Sequence, residues 1–184
     1  MELDVCIKGR RSVRAYTDQP VSKDQLQAVL EAGTWAPTGM GREPWRFIII
    51  EDKKLIKLAS DETKTLVKQM MPPMAEEFSS EADIVCYNAP MLVLICSEKD
   101  AQWNHVSLLD SVLAAENIFL KAYELGLGTC YMGFVELLNN KPAVLKKLGV
   151  PDNYQMMVPF IIGHPRGKQG AGKRKKPQIK EWIK

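Results

Sequence analysis

The 184-residue sequence has little of what metal sites and disulfide frameworks require. Its two histidines, His105 and His164, lie far apart, with no cysteine or carboxylate at metal-ligand spacing, which argues against a zinc site. The four cysteines form no CxxC pair, and three of them lie in apolar sequence, as buried thiols do. We therefore expect neither a bound metal nor a disulfide scaffold.

The sequence also lacks a long hydrophobic run. No segment approaches the roughly 18 consecutive apolar residues that a membrane-spanning helix needs. The N-terminal residues include acidic side chains and no long apolar core, so they do not read as a signal peptide. These features predict a cytoplasmic protein with no membrane partner. A hydrophobic content of 46% over residues 1–184 predicts a single globular domain with a substantial core.

Excess charge is small overall, at +3, but it is concentrated near one end. Residues 168–184 form a basic C-terminal extension in which Glu181 is the single acidic residue. Such a segment is solvated charge, a nucleic-acid contact, or a source of cations for a phosphate on a small cofactor. The alternative function from a different class is a small nucleic-acid-binding domain with a basic tail. The aromatic residues are not interleaved with these lysines, however, so no nucleic-acid partner is expected.

Two stretches carry residues suited to ligand binding. The first, residues 10–14, places three arginines and a serine within five positions, and clustered guanidinium groups suit phosphate or another anionic planar group. The second is the loop from Trp35 to Trp45, whose Pro and Gly residues let backbone amides approach a ligand closely. On chemistry alone, a solvated basic turn followed by an ordinary loop explains the same residues equally well.

Hydrophobic periodicity and capping signals predict the main elements. Ser22 and Gln25 form a capping box at the start of a helix, and residues 105–125 read as the longest helix, apolar over most of its circumference and so buried in the core or in a subunit interface. The run 91–96 predicts a central strand buried on both faces. Residues 61–80, interrupted by a double proline among methionines, are interpreted as a mobile apolar lid, with simple core filling as the alternative.

The sequences of several motifs resemble those of the FMN-dependent nitroreductase family. Arg-Arg-Ser-Val-Arg at 10–14 is followed by Ala-Pro-Thr-Gly at 36–39 and Glu-Pro-Trp-Arg-Phe at 43–47, and the loop wording is also similar to the iodotyrosine deiodinase branch. Gly-Leu-Gly-Thr at 126–129 and Gly-His-Pro at 163–165 extend the resemblance over most of the chain. It implies an α+β, nitroreductase-like fold, with a central, mainly antiparallel sheet flanked by helices, in an intertwined homodimer with FMN at the subunit interface.

The same resemblance implies roles for individual residues, with the chemistry itself at N5 of FMN and no catalytic side chain assigned. Arg14 would lie near the N1/O2 edge of the ring, where a cation stabilises the charge of the reduced flavin. The remaining cofactor-binding residues would be Arg10, Arg11 and Ser12 at the phosphate, ribityl chain and pyrimidine edge, Pro37, Thr38 and Gly39 from the partner subunit, Tyr131, Met132 and Gly133 along the ring, and Arg174 or Lys175 at the phosphate.

The activity implied is reduction of nitroaromatic, quinone or similar electron-poor compounds by NADH or NADPH, through ping-pong hydride transfer. A reductive dehalogenase or an FMN-binding or processing protein of the same fold is the alternative. The Met- and Pro-rich lid departs from the polar lid of the deiodinase branch. Several members of the family carry a Glu-Gly pair near the reactive ring nitrogen; this sequence has no glutamate there, so hydrogen bonding at that nitrogen would come from backbone amides or another side chain. No acid–base residue is assigned, and Glu43, Tyr131 and His105 all stay open as candidates.

Overall fold

The computed structural model describes residues 1–183 as a four-stranded sheet with helices on both faces. The helices are α1 (Leu3–Gly9), α2 (Lys23–Thr34), α3 (Lys53–Met70), α4 (Asn104–Glu124) and α5 (Pro142–Lys147). The strands are β1 (Arg46–Ile50), β2 (Met91–Glu98), β3 (Gly128–Tyr131) and β4 (Tyr154–Gly163). Short 3-10 helices span Gly39–Gly41, Pro72–Met74, Glu77–Ser79 and Gly133–Asn140.

The strands lie in the order β1-β2-β4-β3, and each neighbouring pair is antiparallel. A single parallel bridge between Ser12 and Thr129 adds the N-terminal segment beside β3. This arrangement confirms the predicted α+β class with a mainly antiparallel sheet flanked by helices.

Strand β2 lies inside the sheet and is buried on both faces, as its apolar sequence predicts. Side chains alternate between the faces of a strand. Met91, Val93 and Ile95 therefore belong to the hydrophobic core that also contains residues of α2 and α4. Their neighbours, including Leu92 and Leu94, belong to the core on the opposite face, with residues of α3 and α5. The sheet thus separates two cores in a three-layer arrangement.

Local signals at the ends of two helices act as predicted. The capping box of Ser22 and Gln25 is present at the start of α2. At the end of α4, Gly126 has a φ of +75°, and Leu127 N donates to Ala122 O over 2.8 Å, a Schellman ending that needs a residue tolerant of the left-handed region. Helix α4 therefore stops abruptly and delivers the chain to β3.

Helix α3 extends into the segment interpreted as a lid. Asp52 caps it by accepting from Lys54 N at 2.7 Å, and the helix continues to Met70. No proline interrupts it before Pro72, so its apolar face stays on the core to its last turn. Residues 61–70 of the interpreted lid thus belong to α3, and the two 3-10 helices that follow form a covering segment; its action as a lid stays a prediction.

In residues 1–183, none of the helices is long and apolar enough to cross a membrane. Within the same residues, no group of His, Cys, Asp and Glu side chains is arranged to hold a metal ion. The basic extension, followed as far as residue 183, is exposed and has no helix or strand; Lys184 lies outside the described residues.

Candidate functional site

The arginine cluster is held against the edge of the sheet by main-chain contacts. Val13 N donates to Thr129 O over 2.9 Å, beside the bridge between Ser12 and Thr129. A Cβ on Gly128 would lie 2.6 Å from the Val13 side chain, so this close approach requires glycine. The Gly-Leu-Gly-Thr stretch therefore serves the site by letting the arginine-bearing segment pack on β3.

The larger of two neighbouring cavities has a volume of about 440 Å³ and walls that are mostly apolar and aromatic. Phe78 and Phe134 meet edge to face in this wall, with ring centroids 5.1 Å apart. The lining residues are Arg14, Met71, Glu77, Phe78, Ile84, Val85, Tyr87, Tyr131, Met132, Gly133, Phe134 and Leu137. Such a surface suits a flat aromatic ring, with Arg14 and Glu77 as the charged groups at its boundary.

The second cavity, of about 360 Å³, is lined by Arg10, Ser12 and Thr129 together with apolar residues of α4 and β4. Arg10 Nε lies 3.2 Å from a carboxylate oxygen of Glu116, which also lines this cavity. The guanidinium of Arg10 is therefore kept at the cavity wall, where its remaining N–H groups can meet an anion.

Tyr131 lines both cavities, so the two spaces adjoin across its ring. Its hydroxyl is hydrogen-bonded to Glu136. Burial raises the pKa of Tyr131, and the hydrogen bond to Glu136 raises that pKa further. The phenol is therefore protonated at physiological pH and is oriented by the carboxylate. Of the three acid–base candidates, only Tyr131 lines either cavity; Glu43 lies in the 35–45 loop, and His105 is exposed at the start of α4.

Arg11 has a different environment from its neighbours. Its Nε donates to Gly170 O over 2.9 Å, and its Nη1 donates to Lys8 O over 2.8 Å. A Cβ on Gly172 would lie 2.7 Å from the guanidinium carbon. Arg11 therefore joins the end of α1 to the C-terminal extension, which runs directly beside the arginine cluster.

The two extension residues predicted at the phosphate are near this contact in sequence but line neither cavity. Arg174 and Lys175 are exposed, and Arg174 Nη1 donates to Lys173 O over 2.9 Å. The extension thus reaches the correct side of the molecule, while the choice between Arg174 and Lys175 stays a prediction.

Pro37, Thr38 and Gly39 lie elsewhere in the protomer. Gly39 N lies 3.2 Å from each carboxylate oxygen of Asp110, which is only 5% exposed on α4. Asp110 precedes Glu116 by six residues, or roughly 9 Å along a helix. Within one protomer none of these three residues lines either cavity, and their contribution from a partner subunit stays a prediction.

Sequence reasoning missed several residues of this region, among them Glu116, Tyr87 and Asp110. Asp110 left a signal, because it occupies the buried face of an apolar helix, where a carboxylate needs a partner. Glu116 is likewise a charge within an apolar helical run. Tyr87 left no comparable signal, since its place at the cavity depends on the conformation of a loop.

Taken together, the two cavities fit a ligand that is anionic at one end and flat at the other. Arginine and hydroxyl donors, Arg10 and Ser12, line one cavity, and Arg14 stands beside apolar walls in the other. Each volume lies in or near the range of about 300–1,000 Å³ that small-molecule sites occupy. The donors and walls are therefore suited to a phosphate-bearing aromatic compound.

Comparisons with known proteins agree with this arrangement. The sequence model of the nitroreductase family matches residues 7–164. A crystal structure of a nitroreductase with bound FMN from Bacteroides fragilis is 31% identical, with a TM-score of 0.81 over 100% of this chain and 98% of that one. An FMN reductase (NADPH) of Bacillus subtilis is 25% identical over 94% of this chain and 68% of the relative. An iodotyrosine deiodinase of Thermotoga neapolitana is 29% identical over 79% of this chain and 87% of the relative.

Proposed function

Because the chain belongs to the nitroreductase family, we propose that it is an FMN-dependent oxidoreductase that uses NADH or NADPH to reduce nitroaromatic, quinone or similar electron-poor compounds. The observation that carries this proposal is the pair of adjoining cavities, with Arg10 and Ser12 in one and Arg14 in the other. FMN has a phosphate and a flat ring, the two features for which these cavities are suited.

At the phosphate end, Arg10 and Ser12 supply the donors. The ion pair with Glu116 orients the Arg10 guanidinium at 3.2 Å and leaves other N–H groups for the phosphate. Arg11 contributes by fixing the C-terminal extension through Gly170 O, so that Arg174 or Lys175 can add a further cation. Positive charge from distant parts of the chain is thereby collected around one anion.

At the ring end, Arg14 stands where a fixed cation stabilises negative charge on the pyrimidine edge. Tyr131, Met132 and Gly133 follow the end of β3 along the same cavity. A Cβ on Gly133 would lie 3.3 Å from the Tyr131 ring, so a larger residue here would crowd that wall. Phe78 and Phe134 meet edge to face in the wall of the same cavity and add apolar surface for a flat ring.

When bound, FMN supplies the hydride chemistry that the side chains themselves lack. The protein positions the reactants beside apolar walls. One shared space for the nicotinamide and the electron acceptor requires them to enter in turn, which is the basis for a ping-pong order. Proton supply from Tyr131 is weak, because its raised pKa and its bond to Glu136 both hold the phenolic proton.

The functional unit that we propose is a homodimer with FMN at the subunit interface. The loop of Pro37, Thr38 and Gly39 lines neither cavity within one protomer and is held by the bonds from Gly39 N to Asp110. Leu109, Val112 and Leu113 on α4 leave about half of each side chain exposed, an apolar face beside the second cavity. Burial of this face by a second copy would bring the partner's loop to the site.

Reductive dehalogenation is the second candidate, supported by similarity to the iodotyrosine deiodinase. Gripping an amino-acid zwitterion needs paired charges close together. Lys64 cannot serve, since its ammonium donates to Ser80 O and Ala82 O. Within residues 1–183, Glu77 and Arg14 are the charged residues that line the larger cavity, and the role proposed for Arg14 beside the flavin leaves Glu77 without a lining cation to pair with it around a zwitterion. Uncharged aromatic acceptors therefore fit this cavity better.

The test is the visible spectrum of the purified protein with added FMN, followed anaerobically after NADH or NADPH and then after a nitroaromatic or a quinone. We expect flavin absorbance that bleaches with a nicotinamide and recovers with the acceptor. Halide release from a halotyrosine, with no recovery by the nitroaromatic or quinone, would favour the dehalogenase. A protein that takes up no FMN would refute both candidates.

A further inference from the structure

The loop that follows the covering segment has an unusual backbone. Tyr87 and Asn88 are consecutive, and their φ angles are +53° and +50°. Left-handed φ is uncommon for residues other than glycine, and a bulky side chain such as tyrosine is disfavoured there. Such strain persists only where the surrounding structure enforces it, and it concentrates at functional sites.

The enforcing group is the carboxylate of Asp83. One of its oxygens accepts from Cys86 N at 2.8 Å and from Ser60 Oγ at 2.6 Å, and the other accepts from Asn88 N at 2.9 Å. A third main-chain donor, Val85 N, lies 3.3 Å away. One side chain thus satisfies three amides of the loop and holds it to α3.

Helix α3 anchors the same loop at a second point. Lys64 is 8% exposed, and its ammonium donates to Ala82 O at 2.6 Å and Ser80 O at 3.0 Å. Ser60 and Lys64 are four residues apart, so they lie on one face of the helix. The loop is consequently fixed to α3 at Asp83 and, just before it, at Ser80 and Ala82.

This loop delivers the Tyr87 ring to Arg14. The Arg14 guanidinium carbon lies 5.8 Å from the centre of the ring, within the range of a cation–π contact. Both residues line the larger cavity, next to Ile84 and Val85 of the same loop. Arg14 itself is exposed on a segment without helix or strand, and within residues 1–183 its guanidinium makes no hydrogen bond or ion pair, which leaves the Tyr87 ring as a contact able to orient it.

We propose that Tyr87, held by Asp83, is a positioning residue that orients Arg14 toward the ring of the bound flavin. The inference rests on the proposed function, because it assigns a support to the cation in that site. The aromatic face of Tyr87 matters here and its hydroxyl does not. Asp83 acts on Arg14 indirectly, because it maintains the left-handed backbone at Tyr87.

A double-mutant cycle on FMN binding tests this assignment, with dissociation constants from quenching of flavin fluorescence. Tyr87→Asn removes the ring but keeps a residue that tolerates left-handed φ. We expect it to weaken FMN binding about fivefold when Arg14 is present, and less than about twofold in an Arg14→Ala background. Tyr87→Phe keeps the face of the ring and should bind within about twofold of the wild type.

Asp83→Asn extends the test to the loop, with Asp61→Asn as its matched control. Asp61 is an exposed carboxylate on α3 that pairs with Lys57, so its loss leaves the loop intact. We expect Asp83→Asn to weaken FMN binding about fivefold or more and Asp61→Asn to leave it unchanged. Urea unfolding of each variant verifies that the folded protein is being measured.

The outcomes separate this inference from the function on which it rests. A wild-type protein that binds no FMN overturns the proposed function. A wild type that binds FMN, with Tyr87→Asn equally harmful in both backgrounds, shows that Tyr87 acts without Arg14 and overturns the inference alone. Unchanged binding in Tyr87→Asn, or a loss in Tyr87→Phe as large as that in Tyr87→Asn, also overturns it.

Discussion

At the scale of single residues, the site depends on polar side chains that are committed to partners away from the ligand. Lys64 is one example: it is the buried lysine of residues 1–183, and its partners are main-chain carbonyls. Arg11, with its bonds to Gly170 O and Lys8 O, is another. A charged residue that the sequence suggests for ligand binding can therefore have a structural role, because its side chain already binds main-chain carbonyls.

Replacing Lys64 by Met should destabilise the fold. Met keeps much of the volume but leaves Ser80 O and Ala82 O without their charged donor, which costs about 2 kcal/mol of unfolding free energy. Urea denaturation followed by circular dichroism measures the change. Lys68→Met, at an exposed position of the same helix, is the control and should lie within about 0.5 kcal/mol of the wild type. Equal stability of the two variants would contradict the role given to Lys64.

At the scale of elements, α4 has two apolar faces with different environments. Ala114, Ile118 and Ala122 are buried against the sheet, whereas Leu109 and Leu113 are about half exposed. The apolar periodicity of the sequence could not show which face is buried in the protomer and which is exposed, because the residues of both faces are apolar. The exposed face is the surface that we propose to be covered by a second copy.

Introducing charge on this face should separate the subunits. We expect Leu109→Glu/Leu113→Glu to sediment as a monomer and to lose at least about tenfold in FMN affinity, because glutamates four residues apart cannot be buried against an apolar partner. Sedimentation velocity and flavin fluorescence are the measurements. Lys68→Glu, at an exposed position of α3 on the other side of the sheet, is the control and should remain dimeric. A wild-type protein that is monomeric with FMN bound would contradict the proposed assembly.

At the scale of the whole molecule, burial controls the cysteines. All four are free and buried: Cys86, Cys96 and Cys130 lie in the core that also contains residues of α3 and α5, and Cys6 lies on α1. Burial raises the pKa of Cys96 to about 12 and raises the pKa values of Cys86 and Cys130. These three thiols therefore keep their protons in the folded protein at pH values where the unfolded chain releases them.

This difference predicts a loss of stability in alkali. Unfolded cysteine has a pKa near 8.5, so above that pH the unfolded state binds fewer protons than the native state, and the unfolding free energy falls as pH rises. From pH 8.5 to 9.5 Cys86 and Cys96 should each contribute a loss of about 1 kcal/mol. Urea midpoints at pH 7.5, 8.5 and 9.5 measure it. Cys96→Ala, less stable at every pH, should show a shallower decline; an unchanged slope would count against a buried, protonated Cys96.

The sequence by itself determined the features that depend on neighbouring residues. The apolar run of β2, the capping box of Ser22 and Gln25, and the ending of α4 at Gly126 are local, and each formed as predicted. The family motifs are local as well, so the sequence sufficed to identify the fold class and the family.

Only the tertiary structure decided how distant residues meet. The pairing of Ser12 with Thr129, the ion pair of Arg10 with Glu116 and the contact of Tyr87 with Arg14 join segments far apart in the chain. Such contacts arise from packing of the sheet and helices, and no periodicity or capping rule encodes them. Packing also gives the three neighbouring arginines different roles. Arg11 binds main-chain carbonyls, whereas the side chains of Arg10 and Arg14 line the cavities.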